Sequence, residues 1–499
     1  MKKSLVIFAA ILALAVGSAS AQYNETNNLF YHAQRAPQSN MLNPALFPKC
    51  GFYLQMPGTS FQMGLPLAMN EIVVYHPEEQ RSVIDVNDVL HKLGDNSVFR
   101  NTMDINLIGM GFKVKNLFLD FNTRMVINTN LGIPVSVINA LLDGNVDPVT
   151  GEPIPEITLL DGDLFNMQAY METSVGAGYR LSVIPLTVGV HAKLLSGIFN
   201  IQTDETRVTF ETGENFDDVT ANVYYKIQTA TPIPLDTTGG DILSNLKGGI
   251  RGHLGEIINT LIDPFGGNTG LAFDLGVKYD FGPLSVSASI IDLTSGIHWQ
   301  NNVNTLVPRG GQGQFTFSTS NLNVNSLIDG GQFNADTLKT MFSREVLNMM
   351  PEAQLNEGDY WFNVPTKINV GVSYTFLKRL RAGILFHGQF DRGLLSKKNY
   401  TELDLSGNVK NTFRHNTTLS LSANLFNWME VIVGSSMVFD GSGNFNFMDN
   451  MVNPGAGFIF SVGTVAQSYV MVDYMSSFYL TEVKAFNLKF GLNVLIGKR

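Results

Sequence analysis

A single cysteine, Cys50, in 499 residues leaves no partner for an intramolecular disulfide, so the chain is not one of the small stapled scaffolds common among exported proteins. Charge is scarce too. Asp, Glu, Lys and Arg make up 15% of the residues, against about 25% in ordinary soluble domains. Basic residues are fewer than acidic ones, 33 against 43, for a net charge of -10 and a pI near 5.3. A nucleic-acid surface needs the opposite balance, with Lys and Arg clustered, so nucleic acid is excluded as a partner. Beyond the N-terminal residues there is no run of about 18 apolar residues, the length a helix needs to cross a bilayer, which excludes a helical inner-membrane protein.

Glycine and phenylalanine are abundant, at 47 and 34 residues. The start of the chain has the layout of an export signal: Lys2 and Lys3, an apolar stretch from Leu5 to Val16, then Ala19-Ser20-Ala21. Residues 1–21 are therefore expected to be a signal peptide cleaved before Gln22. No cysteine follows that site, so no lipid anchor is expected there.

The dominant pattern has a period of two. In KINVGVSYTF, Ile368, Val370, Val372, Tyr374 and Phe376 share one face, and Lys367, Asn369, Gly371, Ser373 and Thr375 the other. RLRAGILFHGQF sets Leu380, Ala382, Ile384, Phe386 and Phe390 against Arg379, Arg381, His387 and Gln389. LAFDLGVKYDF sets Leu271, Phe273, Leu275, Val277, Tyr279 and Phe281 against Asp274, Lys278 and Asp280, and the last segment sets Phe486 to Ile496 against Asn487, Lys489, Gly491 and Asn493. A soluble β-sandwich alternates in the same way, but its strands average about five or six residues. These runs reach about ten, the length of a tilted strand crossing a membrane.

Alternate connections are very short, as at 113–116, 182–185, 281–283, 377–379, 427–428 and 465–467, while those between them are long. Short turns on one side and long loops on the other mark an outer-membrane barrel. The fold class expected is all-β, a transmembrane antiparallel barrel of about fourteen strands, which leaves both termini on the periplasmic side. Sixteen is the alternative if the runs near 199–210 and 220–229 also cross. Asp204, Glu205 and Arg207 suit lipid badly, so these runs read as a hairpin beyond the membrane. The long loops fall at about 63–102, 129–165, 198–270 and 294–365, and the stretches 82–93, 242–262 and 335–350 within them have helix-like spacing.

Before the first strand stands NPALFP, with Asn43, Pro44, Ala45 and Phe47. It resembles the Asn-Pro-Ala motif in the N-terminal hatch of the FadL-like long-chain fatty-acid transporter superfamily, whose members are fourteen-stranded outer-membrane barrels. RAPQSNMLNPALFP, GVHAKLLSGIFNIQT and LSVSASIIDLTSGIHW more closely resemble an uncharacterised Bacteroidota-type branch with PorV- and PorP-like relatives, some of which serve secretion or gliding machinery. The resemblance covers nearly the whole mature chain and implies that residues 22–51 form a plug, with residues 52–499 as the barrel. Barrel width points the same way: about eight strands are filled by side chains and sixteen or more leave a channel, so fourteen need something inside. Tyr31, His32 and Arg35 are expected to meet inward charges such as Asp274, Lys278, Arg379 and Arg381; a loose periplasmic tether is the alternative.

The expected lumen-facing polar set is Glu172, His191, Lys193, Asp274, Lys278, Lys367, Arg379, Arg381, His387 and Gln389. His191 lies across from Glu172 and Ser174 on the neighbouring strand, yet no G-x-S-x-G or comparable nucleophile motif accompanies it, so no enzyme activity is expected. The eight histidines are scattered, and no metal or other cofactor is expected. Two functional classes follow. In one, outer-membrane lipid surrounds a passive uptake barrel for a hydrophobic small molecule, with Ile257, Ile258, Leu261, Leu338, Met341 and Phe342 as apolar ligand contacts under the loops. In the other, the barrel is a docking platform whose loop aromatics Trp299, Tyr360, Trp361 and Phe362 hold an outer-membrane or surface protein, although Trp361 and Trp428 also suit the aromatic girdle at a membrane interface.

Overall fold

The computed structural model describes residues 28–497 except 34, 49, 77–80, 85–87, 90–91, 94–96, 137–155, 162–163, 213–217, 232–266, 295, 309–312, 319–327, 330–331, 334–353, 357, 378, 391–412, 439–452, 464, 474, 476 and 478. The signal-peptide segment, the stretches 242–262 and 335–350, and the six apolar loop contacts from Ile257 to Phe342 lie outside the described residues.

Each long alternating run forms a strand, and every strand finds an antiparallel partner on both sides. The barrel strands are β1 (Phe52–Gln55, continued by Gly58–Gly64), β2 (Val98–Val114), β3 (Leu117–Gly132), β4 (Phe165–Arg180), β5 (Leu186–Thr212), β6 (Thr269–Phe281) and β7 (Leu284–Thr294). They continue with β8 (Lys367–Phe376), β9 (Leu380–Phe390), β10 (Phe413–Phe426), β11 (Met429–Val438), β12 (Asn453–Val462), β13 (Ala466–Asp473) and β14 (Ala485–Ile496). Sequential neighbours pair throughout, and β14 returns to β1 through Phe52↔Ile496 and Thr59↔Phe490, closing a fourteen-stranded barrel. Closure satisfies every ladder, as a sheet in lipid requires. Between Gln55 and Thr59, β1 advances four residues against three on β14 (Asn493 to Phe490). Pro57, which has no N–H to donate, occupies this interruption.

The alternation partitions as its chemistry demands. Leu271, Phe273, Leu275 and Val277 on β6 are exposed on the outer face, where lipid covers them, and Asp274 between them is fully buried. The first strand rises from the side of the short turns, so both described ends of the barrel chain lie there.

Of the three loop stretches with helix-like spacing only 82–93 is described, and that in part: residues 88, 89 and 92 are helical, and the Leu93 N–H donates to the Val89 carbonyl (3.0 Å). The start of that stretch, residues 82–84, instead pairs with Val73–Tyr75 in a two-stranded ribbon, which Arg81 and His76 extend. Pairing with a neighbour overrides the helical spacing at these three residues alone. β5 runs on for 27 residues, and its upper part pairs with Asp218–Ala230 as a hairpin beyond the bilayer. Val303–Val307 and Gly313–Ser318 add to that hairpin, and Ile297–Trp299 pairs with Tyr360–Phe362 across the barrel mouth.

Replacing Leu275, near the middle of β6 on the lipid face, by Arg is expected to cost about 2–4 kcal/mol. A urea titration of the barrel refolded into phospholipid vesicles would measure this, with Leu275→Val as the control that should change little.

Candidate functional site

The lumen is occupied from below by the chain's own N-terminal segment. Asn28–His32 and Pro37–Met41 are two single turns of 3-10 helix, and nearly all their side chains are buried. The segment is keyed to the wall strand by strand. Asn28 donates its side-chain amide to Asn416 (2.7 Å), and the Leu29 N–H donates to the Asp473 carboxylate (2.8 Å). Tyr31 shares a hydrogen bond with Ser287 (2.8 Å), Gln38 donates to Asn493, and Asn40 donates to Asp120 (3.1 Å). Ser289 and Asn369 both donate to the Leu42 carbonyl, at 2.7 and 3.0 Å.

The Asn-Pro-Ala turn sits at the centre of this arrangement. The Asn43 side chain accepts the Ala45 N–H (2.9 Å) and donates to the Tyr31 hydroxyl (2.8 Å) and the Ala288 carbonyl (3.2 Å). One carboxamide thus closes the turn and ties it to β7. The wall approaches so closely because it lacks side chains there. A Cβ at Gly276 would strike Asn43 and Pro44, one at Gly189 would strike Pro44, and one at Gly178 would strike Phe47. Gly371, Gly383, Gly434 and Gly455 make the same room for Tyr31, His32 and Leu29. Apolar segment residues meet apolar lumen residues: Leu29, Phe30, Ala33 and Ala36 pack with Ile432, Ile459, Tyr469 and Met471, and Phe47 packs on Phe118 with ring centroids 5.2 Å apart.

The contacts expected of Tyr31, His32 and Arg35 with lumen charges take another form. Tyr31 meets neutral Ser287, and Arg35 donates to the Asn427 carbonyl in a short turn (2.8 Å). His32 is placed against Gly383, and it and Tyr31 line a small cavity that Lys278 and Arg381 also line. Arg379 is not a lumen residue: it is exposed in the turn before β9, because that strand begins one residue later, at Leu380.

Above the segment the wall carries a buried ion network. Lys193 reaches Asp292 (2.7 Å), Asp274 (2.9 Å) and Glu172 (3.4 Å). Arg124 pairs with Glu172 (2.8 Å) and Asp104 (3.6 Å), and Lys367 stands 3.6 Å from Asp292. His191 lies between Asp274 (3.0 Å) and Asp120 (3.3 Å), so the base that a nucleophile would need is held by two carboxylates. His387 Nδ1 meets the Asn369 side-chain oxygen (2.7 Å), and Gln389 is buried beside them. Lys278 belongs to a separate group lower down, with Asp280 (3.0 Å).

Asp104, Asp120 and Arg124 are members of this network that alternation could have revealed, since they occupy inward positions of predicted strands. Asp292 is different. Counting by twos from Leu284 sends it to lipid, yet Asp274 opposes both Ile291 and Asp292 across a bulge. Asp292 adopts φ 57°, and its N–H donates to Asp274 (2.9 Å). An aspartate tolerates the left-handed region better than most residues, and the bulge turns two consecutive side chains inward.

Between the network and the segment lies a cavity of about 110 Å³, lined by Arg100, Asp104, Arg124, Asp292, Lys367 and Lys489 among many carboxamides. Over it lies an apolar roof that includes Val126, Tyr170, Ile297, Trp299, Tyr360 and Phe362. The loop aromatics expected to dock a partner are therefore spent here: Trp299 is fully buried, and Tyr360 and Phe362 nearly so. A strand pair folded over the mouth draws them inward. Trp361 stacks on His298 (4.4 Å), and exposed Trp428 stacks on Phe426 (5.1 Å) at a short turn, as a girdle residue would.

Fold and lumen together define a closed fourteen-stranded outer-membrane β-barrel with its own N-terminal segment in the lumen. The chain belongs to the family of unknown function DUF5723, whose profile matches residues 44–473. Among proteins of curated function none matches the chain. Among solved structures it is similar to a Pseudomonas aeruginosa FadL homologue, at 9% identity over 97% of this chain and 98% of that one, with a TM-score of 0.43. It is likewise similar to the Ralstonia pickettii toluene transporter TbuX, at 9% identity over 93% and 94%, with a TM-score of 0.41.

Removing one member of a buried ion group strands the others, so Lys193→Met should cost about 3–5 kcal/mol. Arg207→Ala breaks a half-exposed pair with Asp161 and should change stability by less than about 1 kcal/mol. Parallel urea titrations in vesicles would compare the two; equal effects would show that the lumen network is not structurally coupled.

Proposed function

We propose that the chain is a plugged uptake barrel of the outer membrane: residues 22–51 act as the plug, and a small molecule reaches the chamber between roof and plug and passes onward when the plug shifts. The observation that carries this reading is the seating of residues 28–48 in the lumen by hydrogen bonds to many wall strands, over glycines that leave room for it. Most of these bonds are neutral, and each is worth only about 0.5–1.5 kcal/mol net. They can be exchanged a few at a time, whereas the ion network is bonded within the wall and stays with it. An export signal in residues 1–21 fits this placement.

The chamber's lining bears on the solute. The FadL-like resemblance implies a hydrophobic small molecule, with contacts in outer loops that lie outside the described residues. The chamber itself presents mainly carboxamides and charges, which a hydrocarbon would leave unpaired. The geometry therefore favours a polar solute at this station. The docking-platform reading loses its proposed surface, since Trp299, Tyr360 and Phe362 are buried in the roof.

Deleting residues 28–42 is expected to leave the barrel assembled, with the heat-shifted gel mobility of a folded barrel, and to raise its conductance in planar bilayers. Gly276→Val, whose methyls would collide with Asn43 and Pro44, should raise conductance in the same direction. Assembled variants that conduct no more than the parent would overturn the plug reading.

A further inference from the structure

Lys489 points from β14 into the chamber. It is 7% exposed, and its ammonium lies 4.2 Å from the centre of the Phe30 ring of the N-terminal segment. Among the described residues no carboxylate stands within salt-bridge distance of it. The two chamber carboxylates are engaged elsewhere, Asp104 with Arg124 (3.6 Å) and Asp292 with Lys193 (2.7 Å). An aromatic face attracts a cation but offers it no hydrogen-bond acceptor of the strength that water or a carboxylate supplies. A buried ammonium without an anion is uncompensated.

Around the same cavity five further side chains present buried oxygens that meet no partner: Gln62 Oε1, Thr102 Oγ1, Asn128 Oδ1, Gln168 Oε1 and Gln389 Oε1. They come from β1, β2, β3, β4 and β9, so they converge on the chamber from much of its circumference. Buried polar atoms are almost always hydrogen-bonded in native proteins, and a convergent set without partners inside the protein is built for something that is not protein. A carboxamide offers an acceptor on one branch and donors on the other. A hydroxyl, which both donates and accepts, satisfies either branch.

We infer that the chamber binds a small hydrophilic anion carrying several hydroxyl groups, of the sugar-acid or hydroxy-acid class, with its anionic group on Lys489 and its hydroxyls on the carboxamide ring. A cation would meet Arg124, Lys367 and Lys489 on the lining, and a hydrocarbon would leave the five oxygens unpaired. The inference rests on the uptake reading in taking the occupant to be cargo. Because Phe30 forms part of the Lys489 site, an arriving anion would compete with the ring for the ammonium and so bear directly on the plug.

The test is isothermal titration calorimetry on the full chain in nanodiscs, with glucuronate, glucose and decanoate as probes. Glucuronate is expected to bind at least about tenfold more tightly than glucose, with no saturable decanoate heat, since charge-assisted hydrogen bonds are the stronger ones. Lys489→Gln should remove about tenfold of the glucuronate affinity and leave glucose unchanged, whereas Gln168→Ala should weaken both. Should Lys489→Gln fail to assemble, Gln168→Ala and a fall in glucuronate affinity with rising salt carry the test. Equal binding of glucuronate and glucose, binding of neither, or preferential binding of decanoate would overturn the assignment. Higher conductance on plug deletion without glucuronate binding overturns the anion site alone. Glucuronate binding with unchanged conductance on plug deletion overturns only the uptake reading.

Discussion

Everything in this molecule follows from the fact that lipid offers a peptide group no hydrogen bond. A strand whose N–H and C=O groups point sideways into hydrocarbon is untenable, so β14 must return to β1 and the sheet must close. Closure then fixes a circumference of fourteen strands, and the circumference fixes an interior wider than wall side chains alone can fill. The lumen is a consequence of satisfying the backbone, and filling it is the problem the remaining sequence solves.

The solution has two parts with different chemistry. On the side of the short turns the wall recedes, through Gly189, Gly276, Gly371 and Gly383, and the N-terminal segment fits against bare backbone. There the inward residues of β11 to β13 turn apolar, Ile432, Ile459 and Met471, because Leu29 and Phe30 lie on them in place of water. Higher up, charged side chains from seven consecutive strands lock together along the lumen wall, and the bulge at Asp292 supplies a carboxylate where regular pleating would have sent it to lipid. The segment is hydrogen-bonded mainly through neutral groups while the wall is bonded to itself through ions, so the boundary between them is the weaker seam.

Much of the wall was legible in the sequence because a barrel strand has one side in lipid and one in a polar lumen, and that contrast repeats every second residue. The strand limits near 117, 284, 429 and 496 and the short turns follow from it directly. The same rule places His191, Lys193, Asp274 and Lys489 in the lumen. It fails where local geometry departs from the pleat. Asp292 is inward only because of a left-handed bulge, and Arg379 is exposed because the chain is still turning there. The stretch 82–93 carries a helical spacing that its described later residues keep, while residues 82–84 form a ribbon, since a paired partner outweighs a few residues of periodicity. Trp299, Tyr360 and Phe362 read as exposed loop aromatics, and only the fold of the strand pair over the mouth makes them a roof.

By itself the sequence determined that this is a membrane barrel: the scarcity of charge, the absence of a long apolar run past residue 21, and the period-two alternation admit little else. It also determined which side chains each regular strand turns inward, because that is a property of the pleat. The tertiary structure alone decided what those side chains meet. Which glycine receives which residue of the N-terminal segment, which carboxylate answers Lys193, and that no described carboxylate stands within salt-bridge distance of Lys489 depend on register across a closed circle. Register is set by every strand pair at once and by no single stretch of sequence.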